Sequence, residues 1–510
     1  MPELGSRTTL INPPISGQKG DPHTGIPFMP FVLAYLAAAL ERAGAKVDVI
    51  DAFGLAPRTG YEFGGKLARG LTPAQIVERL DPLTERIFLY ARAVQDHDLI
   101  VGIARLVRTR LPRATLIVVE NSQAVTSFSL RFSLDSFFPH VDYVLLGECE
   151  ESGPALVQAL ERGEAAPDLA GLARRDESSE RGYTLRDREF GGVDLDSLPP
   201  PMWERFPLEN YWSLKVGHGP VSDRYLTVLS SRGCPYPCTF CVVPDMTGRR
   251  WRGKAPVAFV DELAALVERF GVTEFHFEDV NATVAKKRMI AICEEIRRRR
   301  LAITWKLVSG VKIETVDEET LEQMASAGCR YLSFSPESGS PRILKLMKKC
   351  FDHDKALALT RVMADLGIHS QACFVLGYPG ETDEDRRMSE RFVRALVRNG
   401  LKEIALFIFT PVPGSEAFGL IDGYQSYSEL SFSPTWRSDY AEIASFRRKL
   451  YLEFFGWKCL YQPVEVLRHT QRLFRRRFQT KMEMVAYRVL TDALRASGPR
   501  TEVSRRPAAT

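Results

Sequence analysis

The sequence predicts an α/β protein with three parts: an N-terminal doubly wound parallel sheet, a partial (β/α)6 barrel and a helical C-terminal region. Three observations carry this. Short β-branched runs alternate with helical patterns over residues 1–170. The alternation resumes at wider spacing over 220–424, and beyond 425 aromatic-rich helical patterns take over.

The elements follow in order. Residues 8–12 read as a strand stopped by Pro13 and Pro14, a helical pattern runs over 31–43 to Gly44, and Lys46–Asp51 is a second strand. Strand–helix–strand units with short connections build parallel sheets. Residues 99–102 then read as a strand, 103–111 as a helix, 115–119 and 141–146 as strands, and 152–161 as a helix. Such sheets bind ligands beyond the carboxyl ends of their strands, where the loops at Asn12, Asp51, Glu120 and Gly147 fall. Residues 171–219, charged and rich in Gly, Pro and Asp, read as a linker. The second sheet is expected from strands at 225–230, 274–278, 303–308, 331–335, 371–376 and 404–410. Helices at 257–270, 286–299, 317–327 and 353–366 fill gaps between them. Residues 425–496 are expected to be helical, with Arg475, Arg476 and Arg477 on a solvated face, and 497–510 to be a disordered tail.

Composition sets bounds. A chain of 510 residues has room for two to four domains, and 45% apolar with 26% charged content describes a globular protein with large cores. A net charge of +4 gives no argument for a nucleic-acid partner. The opening residues form no signal peptide, and no apolar run approaches the roughly 18 residues of a membrane span. The expectation is a cytoplasmic protein with no membrane partner.

Nine cysteines occur in the chain, and three fall within eight positions: Cys234-Pro-Tyr-Pro-Cys238-Thr-Phe240-Cys241. They follow the first strand of the second sheet, at the end of a barrel where chemistry resides. Three thiolates bind iron tightly and leave one iron of a cubane open to another ligand. A structural zinc site needs a fourth ligand, and neither His218 nor Cys293, the nearest candidates, completes a local set. The odd cysteine count and absent export signal argue against a disulfide framework.

This segment resembles the signature of the radical S-adenosylmethionine (SAM) superfamily, including the aromatic Phe240 before the third cysteine. The resemblance covers about 220–420. It implies that Cys234, Cys238 and Cys241 hold a 4Fe-4S cluster whose open iron is chelated by SAM. Reductive cleavage of SAM then yields a 5′-deoxyadenosyl radical, with Phe240 near the cluster or adenine. It also implies SAM contacts from Asp279 and Asn281, from Ser335, Glu337 and Ser338 in Ser335-Pro-Glu-Ser-Gly339, and from Gly377 in Gly377-Tyr-Pro-Gly-Glu-Thr382.

Residues 1–170 resemble the Rossmann-like cobalamin-binding domain fused to many of these enzymes. The matching residues are Leu10-Ile-Asn12-Pro13-Pro14, the helical text 30–41, Asp51 and Gly147-Glu148-Cys149-Glu150. This implies Asn12, Pro13, Pro14, Asp51, Gly147 and Glu148 as cobalamin contacts. Cys149 stands where relatives carry glycine, and Glu120-Asn121-Ser122 where they often carry Gly-Gly-Pro-His. The Asp-x-His-x-x-Gly cobalt-ligand motif is absent, since Asp98 follows His97 and position 100 is Ile.

The resemblance implies a class B methyltransferase that moves a methyl group from methylcobalamin to an unactivated carbon of a small-molecule biosynthetic intermediate. The substrate would sit between the two cofactors, near Asp279, Tyr378 and Glu381, and a reducing protein such as flavodoxin or ferredoxin would supply electrons. The alternative is a non-methylating rearrangement, cyclisation or oxidation on the same motifs. A tRNA methylthiotransferase is rejected, because that class carries three further N-terminal cluster cysteines and only Cys149 precedes Cys234 here. A scaffold protein would leave the open iron without a role. In the C-terminal region Trp457 and Tyr461 are weak ligand candidates, each better suited to a core than to a ligand.

Overall fold

The computed structural model describes residues 7–123, 127–164 and 167–496; the expected tail at 497–510 lies outside them. The first sheet contains β1 (Arg7–Asn12), β2 (Lys46–Asp51), β3 (Arg86–Ala91), β4 (Thr115–Glu120), β5 (Tyr143–Leu145), β6 (Leu172–Arg175) and β7 (Tyr183–Leu185). Its order is β7-β6-β5-β4-β3-β1-β2, parallel from β2 to β5 and antiparallel at β6 and β7. The order reverses between β1 and β3, which opens a crevice at the carboxyl ends of those strands.

Two expectations are corrected here. The supposed strand at 99–102 lies inside helix α2 (His97–Arg110), after α1 (Phe31–Arg42). His97, Leu99, Ile100, Ile103, Ala104 and Val107 are the buried residues, and their spacing is that of one helix face. The strand is instead β3, whose six residues are all buried, so it lacks the alternation that marks a one-sided strand. The supposed linker supplies β6 and β7 to the sheet edge, followed by helix α4 (Leu208–Leu214), which comes after α3 (Cys149–Glu161).

The second sheet is formed by β8 (Tyr225–Val228), β9 (Glu274–Phe277), β10 (Thr304–Val311), β11 (Cys329–Glu337), β12 (His369–Leu376) and β13 (Glu403–Ile408). All five pairings are parallel and the strands lie in strict chain order. Among the described residues β8 does not pair with β13, so the six strands form an open array. Helices α5 (Pro256–Phe270), α6 (Lys286–Arg298), α7 (Glu318–Ser326), α8 (His353–Asp365) and α9 (Asp383–Arg398) connect successive strands.

Helix α1 joins the two halves. Its first ten residues are all buried, as a helix apolar on every side must be. Its Tyr35 hydroxyl donates to Glu262 of α5 at 2.7 Å, and one apolar core runs through both halves. The C-terminal region consists of α10 (Tyr440–Tyr461), α11 (Pro463–Arg475) and α12 (Lys481–Ala496). Arg475, Arg476 and Arg477 are exposed. No helix of the described residues is long and apolar enough to cross a membrane.

Candidate active site at the carboxyl ends of the second sheet

The cysteine loop leaves β8 through Ser230 and Ser231, and Asp279 at the end of β9 fixes both. Its carboxylate accepts from Ser230 N–H at 3.0 Å, from Ser230 Oγ at 2.7 Å and from Ser231 Oγ at 2.5 Å. Ser231–Arg232 then pairs with Arg252–Gly253. Gly233 turns the chain with φ +78°, and a Cβ there would lie 1.9 Å from the Arg250 carbonyl oxygen. Only glycine fits. Further on, Thr239 Oγ1 lies 2.7 Å from the Tyr378 hydroxyl, and its main chain bonds Met347 and Ala417.

Cys234, Cys238 and Cys241 line one cavity of about 590 Å³. Burial raises all three thiol pKa values, Cys241 to about 12, where charges on Cys238 and Cys234 add to the rise. Lys349 works the other way on all three, and Lys312 on Cys234 and Cys238. Among the described residues no trio of Cys, His, Asp or Glu stands at chelating geometry, these cysteines included. The donor chemistry nevertheless fits a cluster: three thiols of one pinned loop, close enough to oppose one another's ionisation, with two ammonium groups to favour thiolates.

Asn281, Ser335, Glu337 and Phe240 line the same cavity. The register of β11 against β12 shifts between Phe334 and Glu337, a bulge that re-aims the intervening side chains. Ser335 Oγ occupies space that a Cβ on Gly310 would enter, at 2.1 Å. Glu337 holds φ +65°, a left-handed conformation costly for a residue with a side chain, and accepts from Lys349 at 3.0 Å. Phe240 packs against the cluster of Ile343, Met347, Val375, Tyr378 and Phe409.

The other expected SAM contacts lie outside the cavity lining. Asp279 is occupied by the two serines. Ser338 bonds the Ser340 N–H at 3.1 Å, and the Gly377 N–H donates to Glu381 at 2.6 Å. Burial raises the Glu381 carboxyl to about 7. Tyr461 contacts Arg394, and Trp457 packs on the apolar core.

At the first sheet, Asn12 and Asp51 bond each other at 2.7 Å, and Asp51 also accepts from the Tyr211 hydroxyl at 2.8 Å. Pro13 and Pro14 are buried. Gly147 donates its N–H to Glu120 at 2.6 Å, and Glu148 pairs with Arg232 and Arg252. Glu150 meets the same Arg232 at 2.6 Å, so the two glutamates tie the first half to the cysteine loop. Polar atoms at the carboxyl ends of β1, β3 and β4 lie buried without a partner: Asn12 Oδ1, Arg92 Nε and Nη1, and Gln123 Oε1. Such atoms fit a ligand rich in amides, as a corrinoid is.

Sequence reasoning missed Arg92, whose pairing with Asp96 follows a strand assigned elsewhere. It also missed the cavity-lining His218, whose Nδ1 lies 2.7 Å from the buried Glu278 and whose imidazole stacks on Phe28 at 4.5 Å. Burial lowers the His218 pKa, and Glu278 opposes this. The two are 60 residues apart, so spacing held no signal. The cavity is completed by residues 22–26, Phe28 and Gln95 from the N-terminal half and by one side of α12.

Residues 228–393 match the family model of the radical SAM superfamily. The chain is similar to an uncharacterized methyltransferase of Pyrococcus horikoshii, 27% identical over 84% of this chain and 87% of that one. It is also similar to the cytidylyl-2-hydroxyethylphosphonate methyltransferase of Streptomyces wedmorensis, at 26% identity over 79% and 80%. The fold matches that of TsrM from Kitasatospora setae, a radical SAM methyltransferase solved with cobalamin and a [4Fe-4S] cluster bound. The TM-score is 0.60 at 20% identity, covering 81% of this chain and 74% of TsrM. Residues 228–393 thus form a radical SAM domain, and the chain as a whole has the two-part fold of that cobalamin-bound structure.

Proposed function

We propose that this chain is a cobalamin-dependent radical SAM methyltransferase that adds a methyl group to an unactivated carbon of a small-molecule biosynthetic intermediate. One observation carries the reading. The three cysteines share a single cavity with the N-terminal segment 22–26, with Gln95 and with α12, so a substrate there meets groups from both halves. Ligand sites at such interfaces are physically ordinary. When bound, the cluster and SAM supply a 5′-deoxyadenosyl radical and cobalamin supplies the methyl group.

In this reading Cys234, Cys238 and Cys241 hold the cluster, and Asn281, Ser335 and Glu337 orient SAM beside it. Asp279 holds the cysteine loop by its serines. Asn12, Arg92 and Gln123 face the corrinoid, residues 1–170 act as a Rossmann-like domain, and 220–424 act as a partial TIM-type barrel. Phe28, Val375, Phe407 and Tyr451 exclude water from the substrate. His218, oriented by Glu278, offers a polar contact that positions the substrate. A flavodoxin or ferredoxin delivers electrons in the cytoplasm.

The test is anaerobic reconstitution with iron, sulfide and cobalamin, then mass spectrometry of SAM products after reduction. Formation of both 5′-deoxyadenosine and S-adenosylhomocysteine, with cobalamin retained, is expected. 5′-Deoxyadenosine alone, in the presence of a substrate that is consumed, would replace methyl transfer with rearrangement or oxidation.

A further inference from the structure

Three lysines line the cavity: Lys312, Lys349 and Lys481. Two have a carboxylate at hand, Glu314 at 3.3 Å from Lys312 and Glu337 at 3.0 Å from Lys349. Lys481, the first residue of α12, has none among the described residues within the 4.0 Å of an ion pair. Its ammonium donates to the Val308 carbonyl at 2.8 Å and lies 6.0 Å from the centre of the Tyr331 ring. An ammonium carries three donors, and this carbonyl takes one.

The carboxylates whose charge Lys481 senses are Glu403 and Glu278, and both are engaged elsewhere. Glu403 accepts from the Tyr331 hydroxyl and from Met482 N–H, and Glu278 is held by His218. Burial pushes the Lys481 amine below its ordinary pKa, against the pull of Cys373, Glu403 and Glu278. Lys481 is partly buried and reaches solvent only where it lines the cavity, so an anion brought by a ligand supplies the counter-charge it lacks.

The SAM carboxylate is not that anion. Lys312 follows the carboxyl end of β10 and Lys349 pairs with Glu337 at the carboxyl end of β11, on the side of the cysteine loop, whereas Lys481 meets Val308 and Tyr331 further back along the same strands. Lys481 acts on Cys373, Glu278 and His218. The rest of the cavity sets apolar Val308, Val375, Phe407 and Met484 beside polar Ser309, Ser333 and Gln371, of which Ser333 and Gln371 bond each other at 2.9 Å.

Building on the methyltransferase reading, we propose that the substrate is anionic and that Lys481 binds its carboxylate or phosphoryl group at the end of the cavity away from the cysteines. Lys481 is then the residue that selects the substrate class. Arg488, one face of α12 further on, donates to the carbonyls of Thr24 and Gly25 and holds the N-terminal segment against the same helix.

The test is thermal unfolding of the reconstituted full chain with phenylacetate, phenyl phosphate or neutral phenylacetamide at fixed ionic strength. Wild type should gain stability from at least one anionic probe and none from phenylacetamide; the stronger anion separates carboxylate from phosphoryl. Lys481→Met should weaken that probe's binding about tenfold or more, while Lys481→Arg keeps it and the shift given by SAM persists in both. The probe-free Lys481→Met protein should melt higher than wild type, because an uncompensated charge has been removed. A lower Tm, a failure to fold, or equal response to the neutral and anionic probes would overturn the proposal. Probe binding lost in Lys481→Met, but with no 5′-deoxyadenosine from wild type, would sink the proposed reaction and leave this site standing.

Discussion

Glu150→Gln probes the joint between the N-terminal half and the cysteine loop. Arg232 lies two residues before Cys234, and its guanidinium meets Glu150 of α3 through two bonds, at 3.0 and 2.6 Å. The side chains are 2% and 1% exposed. Burial opposes the Arg232 charge, but Glu150 and then Glu148 outweigh it and hold the group ionised. Removing one partner of a buried pair costs about 3–5 kcal/mol. Glu148 remains 3.4 Å away, which places this change at the lower end, about 3 kcal/mol. An unfolding entropy of about 2.1 cal/mol/K per residue gives roughly 1 kcal/mol/K for a chain of 510 residues. Tm should therefore fall by about 3 °C. Calorimetry of the anaerobic protein measures this, with iron content after reconstitution as the readout at the loop. The pair Glu150→Leu with Arg232→Met should recover part of the loss, since no charge is then left unpaired. A Tm for Glu150→Gln within about 0.5 °C of wild type would refute the idea that this ion pair joins the halves.

Other outcomes follow from the same geometry. Asp279→Ala strands two hydroxyls and an N–H at the root of the cysteine loop, so iron content after reconstitution should drop well below wild type while SAM-independent folding persists; full iron occupancy would contradict the positioning role. Gly233→Ala places a methyl against the Arg250 carbonyl at a left-handed φ, and should destabilise by roughly 2–4 kcal/mol and abolish cluster assembly, read by denaturant unfolding and iron assay. Burial raises the Glu403 carboxyl from 4.5 to about 7, against the bonds from Tyr331 and Met482. A raised folded-state value means stability is full below pH 4.5 and is lost as pH rises through about 7, a span worth about 3 kcal/mol. Tm should thus fall between pH 5 and 7.5 in wild type and fall less in Glu403→Gln; parallel curves would contradict this.

The second sheet was readable strand by strand because its first five strands are each followed by a helix that leads to the next strand. The β11 and β12 positions were anticipated within two residues at most boundaries for that reason. The first sheet was less readable. Arg86–Ala91 is buried on both faces and shows no alternation, so its role passed to the more conspicuous run at 99–102, which is one face of α2. At the site, spacing along the chain singled out the three cysteines, and the family resemblance named Asn281, Ser335 and Glu337, which line the same cavity. Neither could show that Asp279 and Glu148 are engaged within the protein, because their partners, Ser230 and Arg232, are brought up from 49 and 84 residues away by tertiary packing. His218 and Lys481 were invisible for the same reason. Each enters the cavity from a segment with no strand or motif to announce it, and only the packed structure brings them to Glu278 and Val308.

The central claim is that Cys234, Cys238 and Cys241 hold a cluster whose open iron faces the cavity. Electron paramagnetic resonance of the reconstituted, reduced protein, recorded with and without SAM, tests it most directly. The account predicts the signal of a reduced [4Fe-4S] cluster, a change in that signal when SAM is added, and loss of both when the three cysteines are replaced by alanine. A cluster signal that SAM leaves unaltered, or one that survives the triple replacement, would contradict it.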